Sequence, residues 1–275
     1  MATLYGWVTP AFISGAPADH TWVTTYDSRV TEYENIGSVV AASEDYWFSW
    51  GSFHRKGSPP APLCDGPGDL ALARCLCLPN LDSRWHLSAR GTIFIYGVDG
   101  ACHQLSNQIL YATSVGGAKP LTVAGARWYW ASVAIYGAYG VNYPAWAARV
   151  ESCAATTGTG GGGAPSMTIL DDPDDSSLAS IRAAVSGPDA EMKLDALRAL
   201  RDNCRELLNQ FRDAGVRNLP AEAVASEMNR IINEYFIGAA KVLSAEEYER
   251  AFGFRPGEVI NLVNPEMLPG PKQQR

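Results

Sequence analysis

Apolar and aromatic residues are concentrated in short stretches of the first half of the chain, and most of these stretches favour β-strands. The clearest are TWVTTY at 21–26 and YWFSW at 46–50, and TIFIY at 92–96 forms a third run before a Gly-Val-Asp-Gly turn. The aromatic stretch 127–139 is interpreted as a further strand. Residues 57–70 contain several prolines and glycines and are predicted to form a long loop.

A helix is predicted over 101–112, because its apolar residues recur at helical spacing. Cys102, Leu105, Ile109 and Ala112 fall on one face of it. The predicted turn at 97–100 comes directly before this helix. Cys102 is therefore expected at the helix N-terminus.

The second half of the chain has a helical pattern, with leucines on one side and charges on the other. Helices are predicted over 177–185, 189–214 and 220–243, and Ser244 begins a fourth. The sequence Ser-Ala-Glu-Glu at 244–247 has the S-x-x-E pattern of a capping box, and Gly253 is expected to end that helix.

The run TTGTGGGG at 156–163 separates the two halves. So many glycines favour a flexible linker over a fixed backbone conformation. The expected fold class is α+β, with one domain over 1–155, a linker over 156–170 and a helical domain over 171–275.

Composition excludes several classes of protein. The 275 residues are 47% hydrophobic and carry a net charge of −7, which is typical of a globular protein and argues against nucleic acid as a partner. The N-terminus lacks the pattern of a secretory signal, and no apolar stretch reaches the ~18 residues of a membrane span. Six scattered cysteines favour reduced thiols, so a cytoplasmic location is expected, with signal-independent export as the other route. No cofactor is expected.

Cys102 is the candidate nucleophile. Unpaired N–H groups and the positive end of the helix dipole stabilise a thiolate at a helix N-terminus. A base is also needed, and His20 opens the first strong strand. His103 lies elsewhere on the helix surface, within reach of Asn107 one turn on, and is interpreted as structural.

The pattern His20-x-x-Val-x-x-Tyr, followed far downstream by a strand, a turn and a Cys102-His-x-x-x-Asn helix, resembles the circularly permuted branch of the NlpC/P60 papain-like superfamily, which includes lecithin retinol acyltransferase. The resemblance covers roughly residues 15–140. It implies a permuted papain-like domain in which Cys102 is the nucleophile, His20 the base and a third polar group orients the imidazole. His54 is the first candidate for that group and Asp45 the second.

The resemblance also implies the reaction. A thiolate would attack an amide, ester or thioester carbonyl and form a covalent acyl-enzyme, as in a peptidase or amidase. Gln104, Asn107 and Asp45 are the candidate substrate-binding residues, and the first two could add a side-chain amide to the oxyanion site. The acyltransferases carry Asn-Cys-Glu-His-Phe where this chain has Ala-Cys-His-Gln-Leu at 101–105, so acyl transfer on lipids is not implied.

Other functions stay open at this point. The chain could be a non-enzymatic interaction protein whose helical domain docks a protein partner, or a cysteine-based deamidase effector. Cys64, Cys75 and Cys77, with His86 or His103, suggest a zinc site, but they lack the paired spacing of common zinc motifs. The three cysteines are interpreted as buried apolar thiols, and no metal is expected.

Overall fold

The protein has mixed helix and strand structure in a computed structural model. The described residues are 1–13, 16–25, 47–48, 60–77, 96–156, 173–214, 219–265 and 268. The strands are β1 (Ala2–Ile13), β2 (Ala16–Thr24), β3 (Trp47–Phe48) and β4 (Ala61–Gly68). The helices are α1 (Leu70–Cys77), α2 (Cys102–Leu110), α3 (Tyr129–Tyr136), α4 (Tyr143–Thr156), α5 (Pro173–Ala184), α6 (Ala190–Asp213), α7 (Ala221–Val242) and α8 (Ala245–Phe252). None of these helices combines the length and the apolar content needed to cross a membrane.

The four strands form one antiparallel sheet in the order β3-β2-β1-β4. Gly6 pairs with Val23 on the face that packs against α2, and a Cβ added to Gly6 would lie 3.5 Å from Leu110. Trp7 pairs with Trp22 on the opposite face. Residues of even number in β1 and odd number in β2 therefore face α2, because side chains alternate along a strand.

Strand β4 corrects the prediction of a loop over 57–70. It contains Pro62 and Pro67 but lies at the edge of the sheet. Proline is tolerated there because one side of an edge strand has no neighbouring strand that needs its N–H. The predicted strand over 127–139 is also wrong, since most of it is helix α3. Both faces of α3 are buried, so neither helical nor strand periodicity is visible in its sequence.

The predicted helices of the second half are confirmed to within a few residues, and so is the helix that begins at Cys102. The capping box of α8 forms: Glu247 N–H donates to Ser244 Oγ at 3.2 Å, and Ser244 N–H donates to Glu247 Oε2 at 2.8 Å. Gly253 ends the helix with a left-handed backbone at φ +78°. These boundaries were predictable because local sequence sets them.

Helix α3 lies between two hydrophobic clusters. Ala134 and Ile135 belong to the cluster built mainly by α5 to α8, whereas Tyr129 and Val133 belong to the one under the sheet. Arg205 of α6 also donates to the Ile135 carbonyl at 2.6 Å. The helical region thus packs directly on the first part of the chain. Residues 157–172, which hold the predicted linker, lie outside the described residues, and the domain boundary stays a prediction.

Cys75 of α1 and Cys153 of α4 form a disulfide. Arg149 reinforces the same junction, since its Nε and Nη2 donate to the Cys75 carbonyl at 3.1 and 2.9 Å. For these two cysteines, the expectation of reduced thiols is wrong. Their separation of 78 residues gave no local signal of pairing.

Candidate functional site

Helix α2 is buried along its whole length although most of its side chains are polar. Its N-terminal part packs on β2, so Cys102 lies against the backbone of that strand. Polar groups removed from water in this way need partners inside the protein. Their hydrogen bonds define the chemistry of the site.

Three hydrogen-bond donors lie near the sulfur of Cys102. They are the N–H and the hydroxyl of Thr21 and the N–H of His103, and each lowers the thiol pKa. The thiol donates to the Asp19 carbonyl, with 3.9 Å between Sγ and O. Burial outweighs the donors, because only 8% of Cys102 is exposed and desolvation raises the pKa of its thiol from 9.0 to about 11. Cys102 is therefore a protonated thiol at neutral pH.

His20, the predicted base, belongs to the other face of β2. Thr21 faces α2, where Ser106 Oγ donates to its hydroxyl at 3.0 Å. His20 precedes it by one residue and faces the opposite way, with its ring stacked on Trp22 at 5.7 Å between centroids. The structure thus presents Thr21, and not the imidazole of His20, to Cys102.

Among the described residues, His103 is the imidazole that lies on the α2 side of the sheet. It is 3% exposed, and its Nδ1 lies 2.9 Å from Ser132 Oγ. Ser132 Oγ donates its single hydrogen to the Tyr129 carbonyl at 2.8 Å, and it accepts a hydrogen bond from Gln104 Nε2 at 3.2 Å. His103 Nδ1 must therefore carry the hydrogen and donate to Ser132.

This tautomer leaves the lone pair of His103 on Nε2. Nε2 is buried and has no hydrogen-bond partner within the described part of the chain. Burial lowers the pKa of His103 from 6.5 to about 4, and a hydrogen bond to the Asp19 carbonyl opposes part of that shift. We assign that bond to the protonated ring, since Nε2 could then donate to the carbonyl. The Asp19 carbonyl thus serves both Cys102 and His103.

Asp19 is fixed from the side of α3. Its Oδ2 accepts a hydrogen bond from the Arg127 N–H at 2.7 Å. The next residue, Trp128, has a left-handed backbone at φ +62°, which is strained for a bulky side chain. The start of α3 therefore holds both Asp19 and Ser132 near α2.

Gln104 and Asn107 have structural roles here. Gln104 accepts from the Ala101 N–H at 3.0 Å, and its amide hydrogens go to Ser132 Oγ and to the Gly137 carbonyl. The Asn107 amide donates to Tyr129 Oη and to the Ala138 carbonyl, while its oxygen accepts from the Val123 N–H. With both donors of each amide engaged, neither side chain can donate to a substrate.

Asp45 and His54 lie outside the described residues. Both are candidates for the group that orients the imidazole, and Asp45 is also a candidate for substrate binding. His86 of the zinc hypothesis also lies outside the described residues. Cys75 is engaged in its disulfide and cannot be a thiolate ligand. Within the described ranges, no group of three or more His, Cys, Asp or Glu side chains could hold a metal ion.

Burial of His103 predicts instability in mild acid. The unfolded chain takes up a proton near pH 6.5, whereas the folded protein does so only near pH 4, so the free energy of unfolding should fall by about 3 kcal/mol as the pH falls through that window. Thermal unfolding midpoints between pH 7 and pH 4 would show this, with His103→Gln as the comparison. The variant should lose less stability than the wild type over the same range, and equal losses would contradict the buried neutral imidazole.

Comparison of the chain with protein-family models, with curated proteins and with solved structures finds no match in any of the three. The resemblance to permuted papain-like enzymes therefore stays a prediction. The residues whose geometry bears on function are Asp19, Thr21, Cys102, His103 and Ser132.

Proposed function

We propose that the protein is a cysteine-dependent hydrolase or acyl transferase whose nucleophile is Cys102 and whose general base is His103. One observation carries the proposal: a thiol and the free lone pair of a neutral imidazole share the Asp19 carbonyl as their neighbour. Nε2 makes no hydrogen bond to Sγ in the resting structure, because side chains of consecutive residues diverge around a helix. The proton therefore has to pass after a side-chain movement or through one bridging water. His103 replaces His20 in the role that the sequence pattern suggested.

The reaction would begin from the neutral pair. As Cys102 Sγ bonds to the carbonyl carbon of an amide, ester or thioester, its proton passes to His103 Nε2 and the carbonyl electron pair moves to oxygen. Collapse expels the leaving group, which takes the proton from the imidazolium, and the acyl group stays on sulfur. Water or another acceptor then gives its proton to Nε2 and attacks the acyl carbon. The sulfur leaves with the electron pair of the carbon–sulfur bond and takes the proton back from Nε2, which restores the neutral thiol and imidazole.

The two pKa values set how the proton moves. With the thiol pKa raised to about 11 and the imidazole pKa lowered to about 4 by burial, the neutral pair is the resting state. Attack coupled to proton transfer avoids forming the thiolate–imidazolium pair in advance. The donors on Thr21 and His103 lower the barrier to attack by stabilising negative charge on sulfur.

Acylation of Cys102 by a small ester tests the proposal. We expect incubation with p-nitrophenyl acetate to acetylate Cys102, measured by mass spectrometry of peptides, and the rate to drop about a hundredfold or more in His103→Gln. Cys204, a second buried thiol, provides the matched control: Cys204→Ala should acylate normally, while Cys102→Ala should not. Absence of an adduct on Cys102, or an unchanged rate in folded His103→Gln, would overturn the proposal.

The pH profile separates general-base catalysis from simple thiolate chemistry. The reactive pair consists of a neutral thiol and a neutral imidazole, so the acylation rate should stay level between about pH 4 and pH 11 wherever the fold persists. An unassisted thiol would instead react about tenfold faster per pH unit up to its pKa.

A non-catalytic scaffold is the second candidate function, favoured by the burial of the sulfur and by the position of His20 on the other face of β2. In that case the helical region would dock a protein partner. The scaffold predicts either no adduct on Cys102, or a slow acylation whose rate rises about tenfold per pH unit and does not change in His103→Gln. The same acylation experiment therefore decides between the two.

A further inference from the structure

The C-terminal segment 258–264, here called the strap, is bound to α7 through side-chain amides. Asn233 Nδ2 donates to the Ile260 carbonyl at 2.7 Å, and Ile260 N–H donates to Asn233 Oδ1 at 3.0 Å. Asn229 makes the same pair of bonds with Val263, both at 2.9 Å. Two asparagines one turn apart thus act on the strap as a neighbouring β-strand would.

The strap also holds the turn that precedes Cys102. Tyr96 Oη donates to the Leu262 carbonyl at 3.3 Å and accepts from the Asn264 N–H at 3.2 Å. Val263 packs so close to the turn that a Cβ on Gly97 would lie 3.1 Å from one of its methyl groups. The far side of the turn is fixed by Tyr136, whose hydroxyl donates to the Gly97 carbonyl at 2.9 Å.

This turn leads directly into α2. Gly97 N–H donates to the Gly100 carbonyl at 2.8 Å, and the chain then continues through Ala101 to Cys102. Burial raises the pKa of Tyr96, and Cys102 lies near enough for a charge on its sulfur to raise that pKa further. Any displacement of the turn therefore moves the first residue of α2, where a substrate would have to reach the sulfur.

We propose that the strap is a latch on Cys102: its hydrogen bonds to Asn229 and Tyr96 hold the turn against α2 and keep the thiol covered, and release of that end opens the site. The regulatory meaning of the latch rests on the function proposed for Cys102. The latch itself is a claim about access to the sulfur and can be tested without any substrate. A thiol that is 8% exposed needs such an opening before it can meet a carbonyl carbon.

Tyr96→Phe is the mildest test, because it removes only the hydroxyl that bonds the strap. Native protein would be alkylated with iodoacetamide and each cysteine quantified by mass spectrometry. We expect Cys102 to react about tenfold faster in Tyr96→Phe, since about two hydrogen bonds no longer oppose local opening. Cys204, buried between α6 and α7, should change by less than about twofold.

Two asparagine variants provide the matched pair. Asn229→Ala and Asn233→Ala each remove two hydrogen bonds to the strap. Asn229 binds Val263, which packs on Gly97, whereas Asn233 binds Ile260 farther from the turn along the strap. Asn229→Ala should therefore raise the Cys102 rate more. An equal effect of the two, a parallel rise at Cys204 or no rise at Cys102 would each overturn the latch.

Different experimental results would refute the latch and the proposed function. Selective alkylation of Cys102 in Tyr96→Phe, without acylation by an ester in any variant, would leave the latch and refute the enzyme. Acylation that depends on Cys102 and His103, with alkylation rates unchanged in Tyr96→Phe, would leave the enzyme and refute the latch.

Discussion

Replacing both Cys75 and Cys153 by serine should lower the free energy of unfolding by about 4.5 kcal/mol. The disulfide joins residues 78 positions apart, and a loop of that length removes much of the conformational entropy of the unfolded chain. A loss of that size is a large fraction of the 5–15 kcal/mol that typically stabilises a folded protein. Urea-induced unfolding, followed without reductant, gives the value.

Two controls identify the cause of that loss. Wild-type protein treated with dithiothreitol should fall to nearly the stability of the double variant, and the variant should not respond to the reductant. Cys64→Ser, at a free and half-buried thiol, should cost far less. A double variant within about 1 kcal/mol of the wild type would show that the bond adds little to stability.

The disulfide also bears on location. Reduced thiols were the argument for the cytoplasm, and stable disulfides are typical of oxidising compartments. With Cys75 and Cys153 bonded, that argument no longer holds for these two residues. Alkylation of the protein directly in lysates of its own cells, followed by gels with and without reductant, would report the fraction that carries the bond.

Gly97→Ala should destabilise the protein by roughly 2–5 kcal/mol. The backbone of Gly97 has φ +79°, a conformation that costs a side chain about 1–2 kcal/mol. The added Cβ would also lie 3.0 Å from the sulfur of Met228 and 3.1 Å from a methyl group of Val263. The methyl group thus has to displace the strap or α7, which adds an overpacking cost of about 1–3 kcal/mol.

Gly116→Ala separates the two contributions. Gly116 also has a positive φ, +66°, but an added Cβ there meets nothing within 4 Å. Its replacement should cost only the backbone strain, about 1–2 kcal/mol. Chemical denaturation of both variants gives the difference. Equal losses would mean that the packing of Val263 and Met228 on the turn yields easily, which would also weaken the case for a latch.

Local sequence signals predicted the helices of the second half well. A serine followed three residues later by glutamate begins α8, and a glycine ends it, with no help needed from distant residues. Helix α3 shows the limit of such reasoning. Its aromatic and β-branched residues favour a strand, but burial between two clusters overrides that preference. The edge position that allows prolines in β4 is likewise set by the whole sheet.

The candidate site was predictable only in part. Sequence placed Cys102 at the start of a helix, and the structure agrees. It could not decide which of two neighbouring residues, His20 or Thr21, would face that helix, because a shift of one residue in a strand reverses every side chain. His103, the base proposed above, was not identified from the sequence because its tautomer depends on Ser132, 29 residues away, whose hydroxyl fixes which ring nitrogen keeps its lone pair.

The acceptor shared by Cys102 and His103 is a main-chain oxygen, that of Asp19. Substitution of the Asp19 side chain would change the local charge and the tie to Arg127, yet the oxygen itself would survive every point mutation. Only an insertion or deletion that shifts the pairing register of β1 and β2 could move it away from Cys102. Genetic screens limited to single replacements would therefore overlook the group around which this arrangement is organised.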